Sequence, residues 1–442
     1  MRDRKIFLIL SVAILFAFLV VVWYFFKASP SSNPDINNPT NPFGPAATSR
    51  PRGEFINNFI NGFLGNNNTT NDERIPASER TLTQIWDKPT AGYNFVNREI
   101  IIEGTSTPQT GTSTIKKLSK PTKKTVEYLL FVDRITGHIY GYNKDSAGAF
   151  QITNTTIPGI YDAYITQNGS KVFLRYFDKD TNVIKTIMAT IPTFLEGADP
   201  RPLTDLKSLQ ENISSFAVSD SSNYFSYIVP NNSGSSIYTV DSKNVATTFN
   251  SPLREWSLVY GGEIPYITNK ASAYLEGSSF SLPKNIYNVG GKTGLVSLPN
   301  KTGESTLSSM WSNSGLLTFI SSKKTGSLTT LSIKTIASKC AWMDTTRLLC
   351  GVPSTLISGE EGLPDDWFQG SISFSDDLFL VNINTGLSYT LLSLTGETGN
   401  PFDIIRPQIN KGLTSLVFTN KQNGGLWLVN LNRLLSSTTS SQ

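Results

Sequence analysis

From about residue 79 onward, hydrophobic and polar positions alternate in short runs separated by Gly, Asn, Asp and Ser. Six stretches share one layout: AYITQNGSKVFLRY (163–176), FAVSDSSNYFSYIV (216–229), EWSLVYGGEIPYIT (255–268), SMWSNSGLLTFIS (309–321), CAWMDTTRLLCGVP (340–353) and PQINKGLTSLVFTN (407–420). Each is an apolar strand, a tight polar turn and an apolar return strand, which predicts an all-β body of hairpins. A second element recurs, FVDRITGHIYGY (131–142) and LVNINTGLSYTL (380–391), which match position for position around Asp/Asn-x-x-Thr-Gly. Repeated four-strand units, none able to bury both faces alone, predict a β-propeller over 79–435. At about 50 residues per blade the body holds about seven blades, with six or eight also compatible. A single β-sandwich would not need this many units.

The N-terminus has a different pattern. Ile6 to Phe26 carries no charge and is almost wholly apolar. At about 1.5 Å per residue it is long enough to cross a bilayer core of about 30 Å. No small-x-small cleavage site or lipobox cysteine follows, so 1–27 is expected to be an uncleaved transmembrane anchor. Arg2, Arg4 and Lys5 precede the run and Lys27 follows it, which places the N-terminus in the cytoplasm and the bulk of the chain outside. The Asn/Pro-rich stretch 28–78 is too polar to bury a core and is expected to be a disordered tether, as is a short tail at 436–442. Within the tether, 54–65 is amphipathic, with Phe55, Ile56, Phe59, Ile60, Phe63 and Leu64 falling on one helical stripe. That stripe would lie on the membrane, on the protein's own body, or in a partner's groove.

The units ITQNGSKVFLRYFD (165–178) and WSNSGLLTFIS (311–321) resemble the blades of TolB-like and WD40-like propellers, although Trp-Asp dipeptides and Gly-His signatures do not recur from unit to unit. With SKCAWMDTTRLLCGVP (338–353), LPDDWFQG (363–370) and the anchor, the chain resembles membrane-anchored bacterial propellers. The resemblance implies a fold and, by class, binding or scaffolding; it transfers no catalytic residue.

Charge and chemistry refine this picture. A net charge of +4 without a concentrated basic face argues against nucleic acid as a partner. The basic group Lys116, Lys117, Lys120, Lys123 and Lys124 sits among Thr, Ser and Pro and reads as an exposed flexible loop, either simply solvated charge or a contact for anionic envelope polymer or lipid headgroups. Cys340 and Cys350 are symmetric about Thr345, so a turn there sets them opposite each other within disulfide reach; two buried thiols is the other reading.

The segment GEEGLPDDWFQGSISFSDD (359–377) gathers Glu360, Glu361, Asp365, Asp366, Asp376 and Asp377 around Trp367. Asp365, Asp366, Asp376 and Asp377 could hold Ca²⁺, but the EF-hand pattern is missing. In the blander reading Trp367 and Phe368 pack down, doubling as partner-binding candidates, and the carboxylates stay in water. The lone histidine, His138, reads as structural, and no nucleophile-elbow, zinc-protease, P-loop or dinucleotide motif is present. The expected function is therefore non-enzymatic: a protein-binding or scaffolding propeller in an envelope assembly, without cofactor. The alternative is a hydrolase or lyase on envelope polysaccharide with acidic loop residues as acid and base.

Overall fold

The computed structural model describes residues 80–102, 122–243, 245–284, 286–312, 315–355 and 362–439. They form seven four-stranded antiparallel sheets. Six are meanders of consecutive strands spanning 90–151, 160–208, 215–251, 256–293, 296–330 and 340–392, blades 1 to 6. Blade 7 combines Ile404–Ile409, Ser415–Asn420 and Leu426–Asn430 with the N-terminal strand Leu82–Trp86 as its outermost member. The two ends of the body thus meet in one sheet. The chain folds as a seven-bladed β-propeller.

First strands of successive blades contact one another and surround a channel, whereas fourth strands such as Thr204–Ser208 and Leu328–Thr330 are exposed along their whole length. The core is divided among the gaps between sheets. Val96, Leu130, Ile160 and Leu174 fill the gap between blades 1 and 2, and Leu349, Leu380, Ile404 and Phe418 that between 6 and 7. This is the pattern of sheets that bury apolar side chains on both faces, each against a neighbour.

Two features of the chain mark turns and not places in a blade. The motif at 131–142 joins the second and third strands of blade 1, while its match at 380–391 joins the third and fourth of blade 6. What it specifies is local. Asp133 Oδ1 accepts the N–H groups of Ile135 and Thr136, Asn382 Oδ1 accepts those of Asn384 and Thr385, and Gly137 and Gly386 take positive φ. Likewise the unit at 309–321 is a second–third hairpin, and the first strand of blade 5 is the short Val296–Pro299.

Ordered chain also runs past residue 435. A helix, Leu431–Thr439, takes in 436–439 of the expected tail, its start held by Leu431 and Leu434 buried in the blade 6–7 core. Similarly, Lys123 and Lys124 are not in a flexible loop but in the second strand of blade 1, paired with Ile101 and Ile100. Among the described residues no helix is long and apolar enough to cross a membrane. The run Ile6–Phe26, the stripe Phe55–Leu64 and Lys116, Lys117 and Lys120 lie outside the described residues.

Ring closure has a side-chain lock on its outer rim. Trp86, at the end of the closing strand, packs on Phe131 and Tyr140 of blade 1 at ring-centroid distances of 5.3 and 4.5 Å. Its Nε1–H donates to Asp133 at 3.2 Å. Replacing it, Trp86→Ala, should cost about 2–4 kcal/mol, read as a lower urea midpoint by circular dichroism. An unchanged midpoint would mean that the closing strand is held by its backbone ladder alone.

Candidate functional site

Two adjoining cavities of ≈ 190 Å³ and ≈ 320 Å³ lie in the channel, and the first takes residues from all seven blades, among them Asn94, Gln167, Asp220, Tyr260, Lys301, Trp342 and Lys411. Near the face where the first strands end, Lys301 Nζ stands 3.8 Å from the Asp220 carboxylate. Burial raises Asp220 above the ordinary carboxylate range against the pull of Lys301 and Lys411. Asp220 is the carboxylate that lines both cavities, and lysines, not a second carboxylate, face it among the described lining residues.

At the other end of the channel, where the first strands begin, an ion network crosses three blades. Arg406 of blade 7 donates to Ala91 O of blade 1 at 2.9 Å and to Asp162 of blade 2 at 2.6 Å. Asp162 also binds Arg175 at 2.8 Å and the Tyr164 hydroxyl at 3.0 Å. Burial alone would raise Asp162; the two guanidinium groups overturn that and hold it below the ordinary range. Arg406 has neighbours on every side yet keeps 45% of its side-chain surface, because it looks into the channel. Its aim comes from a bulge. The ladder slips between Ile405 and Gln408, and Arg406 takes φ 52°, turning the side chain across the seam. The Arg-Pro pair inside the strand IIRPQI was the available sequence signal, since proline inside a strand marks a bulge or an edge.

The acidic segment belongs to the same end of the propeller. It is inserted between the second and third strands of blade 6 and carries a short helix, Asp365–Gln369. The insertion reaches over its neighbours: Asp365 accepts the Ala273 N–H of blade 4 at 3.1 Å, and Leu363 and Trp367 join one apolar cluster with Trp311 of blade 5. Trp367 is 3% exposed and its Nε1–H donates to Asp403, ahead of blade 7, at 2.9 Å. The insertion is therefore fixed to four blades.

Beneath Trp367 lies a dry charge centre. Lys339 Nζ, 0% exposed, contacts Asp403 Oδ1 and Asp376 Oδ2, the latter at 2.7 Å. Trp367 and Phe374 cover the ammonium at 4.9 and 4.8 Å. Asp403 also accepts from Ser373 Oγ at 3.0 Å and from Phe374 N–H at 3.1 Å, and Asp376 from Ile404 N–H at 2.7 Å. Neither Lys339 nor Asp403 stood out among the residues, because an isolated Lys or Asp in a polar connection reads as solvated.

These placements revise the reading of the acidic segment. Asp376 is buried on Lys339 while its neighbour Asp377 points to the other face of the strand, as successive strand residues must. Asp365 is taken by Ala273 N–H and Asp366 by Gly362 N–H at 3.0 Å. The four carboxylates do not converge, and no group of three or more His, Cys, Asp or Glu that could hold a metal occurs among the described residues. Trp367 is too buried to meet a partner, whereas Phe368, expected to pack down beside it, stands 53% exposed because the short helix turns it outward. Beside the insertion, Tyr274 is 82% and Leu275 70% exposed.

Cys340 and Cys350 form a disulfide with Cα atoms 4.0 Å apart, in directly opposed positions of blade 6. Lys123 pairs with Glu99 at 3.0 Å on the surface, and His138 is held in blade 1 by Thr156 and Gln151.

No protein-family model matches the chain, and no curated protein does. Solved structures similar to it include β-propeller domains. An oligogalacturonate lyase in complex with manganese is 11% identical, over 69% of this chain and 85% of that one, with a TM-score of 0.43. The propeller domain of the Trilobed protease from Pyrococcus furiosus is 10% identical, over 69% and 91%, also at 0.43. TolB from Acinetobacter baumannii is 10% identical, over 59% and 58%, at 0.36. The seven-bladed assignment stands on this chain's own ladders.

Asp376 makes the charge centre sensitive to pH. Burial pushes its carboxyl up to about 6 from 3.8, against the opposing pull of Lys339 and the Ile404 hydrogen bond. Between those values the folded protein keeps a proton that the unfolded chain has released, so stability is full below pH 3.8 and is lost as pH rises towards 6. Relative to Asp376→Asn, the wild type should lose on the order of 3 kcal/mol across that window, measured by urea denaturation at each pH. Parallel stability curves for the two proteins would show that Asp376 is ionised throughout.

Proposed function

We propose that this propeller is a membrane-anchored, extracytoplasmic binding module that docks a protein partner in a cell-envelope assembly. The observation that carries the reading is the insertion face: exposed Phe368 stands on a segment pinned to four blades, with exposed Tyr274 and Leu275 of blade 4 beside it. Aromatic and aliphatic side chains on a rigid base cost little ordering on association, which suits them to anchor an interface. The channel-end ion pairs are engaged with one another, so recognition falls to this surface. The uncharged run Ile6–Phe26 supports anchoring, with Arg2, Arg4 and Lys5 holding the N-terminus inside. The Cys340–Cys350 bridge supports an oxidising compartment. For the polysaccharide-cleaving alternative, nothing among the described channel residues supplies the facing carboxylates that acid–base cleavage uses.

Crosslinking in intact cells, followed by affinity purification of the full chain and mass spectrometry, tests this. The wild type should recover a reproducible envelope protein crosslinked near 362–375 or 270–276. The triple variant Tyr274→Ser, Leu275→Ser, Phe368→Ser should fold with an unchanged melting curve and lose that partner by at least tenfold. Recovery of the chain alone, or equal recovery by the variant, would overturn the reading.

A further inference from the structure

The charge centre under Trp367 is unusual in ways an ordinary ion pair does not explain. Lys339, Asp376 and Asp403 are all fully buried, and Asp376 Oδ1 has no hydrogen-bond partner. Two carboxylates share one ammonium in a space walled by Trp367 and Phe374. Charge held in so dry a place is costly, and a buried pair often contributes nothing net. One reaction would remove the cost.

We propose that Lys339 and Asp403 condense to an intramolecular amide, an isopeptide bond between Lys339 Nζ and Asp403 Cγ, with Asp376 as the proton carrier. The geometry meets each need of that chemistry. Lys339 Nζ touches both carboxylates, so nucleophile, electrophile and base are already in contact, the arrangement that makes an intramolecular reaction fast. Asp376 takes a proton from the ammonium, leaving a neutral amine, which adds to Asp403 Cγ. Trp367 Nε1–H and Phe374 N–H point at the Asp403 oxygens and stabilise the oxyanion of the tetrahedral adduct. Asp376 returns its proton to one Asp403 oxygen, the nitrogen passes its second proton to the same oxygen, and the C–O bond breaks as that oxygen leaves as water. The sum is ammonium plus carboxylate to amide plus water, with Asp376 unchanged and no oxidant, metal or co-reactant required. A carboxyl that carries a proton near pH 6 is suited to this shuttle. The enclosure keeps water from reversing the step.

The bond would join the turn Ala337–Lys339, just ahead of the first strand of blade 6, to the residue preceding the first strand of blade 7. It would staple two blades directly beneath the insertion.

The test is the intact mass of the purified full-length protein, denatured, reduced and alkylated. The expected mass is lighter than the sequence by one water. Tryptic digestion should leave no cleavage after Lys339 and should yield one branched peptide holding Lys339 and Asp403. A mixture of masses in which the lighter form grows as the folded protein is incubated would also establish the bond. Lys339→Met and Asp376→Ala should show the unlinked mass, and Asp403→Asn should reach the same linked product by losing ammonia. Wild-type protein that keeps its full mass after incubation, with Lys339 cut by trypsin, overturns the proposal whatever the variants do.

Discussion

A ring of sheets has two loose ends unless one blade is built from both termini. Here the closing pair is Leu82–Trp86 on Leu426–Asn430, and the seven-fold arrangement depends on it. Without that ladder, blade 7 would expose the edge of its third strand and the apolar gap to blade 1 would open. The seam is therefore reinforced along its radius. Trp86 bridges it at the rim, Phe131, Val417 and Leu426 fill it midway, and Arg406 crosses it at the channel. Each layer uses a different force: aromatic packing outside, apolar burial between, and ionic hydrogen bonds where the channel lets in water.

The blade 6 insertion follows from the same constraint. A long connection on a propeller face has no sheet to hold it and stays ordered only if it reaches neighbouring blades. This one does so by burying Trp367, whose indole nitrogen needs an acceptor that cannot be water. Asp403 supplies the acceptor, Lys339 compensates Asp403, and Asp376 shares Lys339. Each buried polar group calls for the next, and the chain of requirements ends at Asp376 Oδ1, which has no partner. Rigidity on the outside is thus maintained by tension inside: Phe368 stands exposed because Trp367 beside it is fixed.

How much of this could be read from the residues depended on the range of the interaction. Hairpins were legible because turn chemistry is local; Asp133 and Gly137 form their turn from side chains within a few residues. The facing of Cys340 and Cys350 was legible for the same reason, the hairpin fixing its own register. Blade position was not, since one turn motif serves equally between second and third or third and fourth strands. Blade 5 hid its first strand because Val296–Pro299 is four residues long and its neighbour hairpin carries the more conspicuous Trp311. Least legible was the charge centre, whose members at 339, 376 and 403 are brought together by the ring and by nothing in their own surroundings.

That difference in range separates what local sequence specifies from what the ring creates. The carboxylates that looked most like a site, Asp365 and Asp366, are spent on the backbone N–H groups of Ala273 and Gly362, where they hold the insertion in place. The residues with chemistry to offer, Lys339 with two carboxylates and Arg406 beside Asp162, sit where blades converge. Convergence concentrates first-strand ends and the turns leading into them, so polar side chains there are desolvated together and must satisfy one another. A propeller's chemistry therefore collects at its axis and seams, while its loops are free to present contact surface. In this chain the two meet at Trp367, which faces the charge centre on one side and carries the exposed Phe368 on the other.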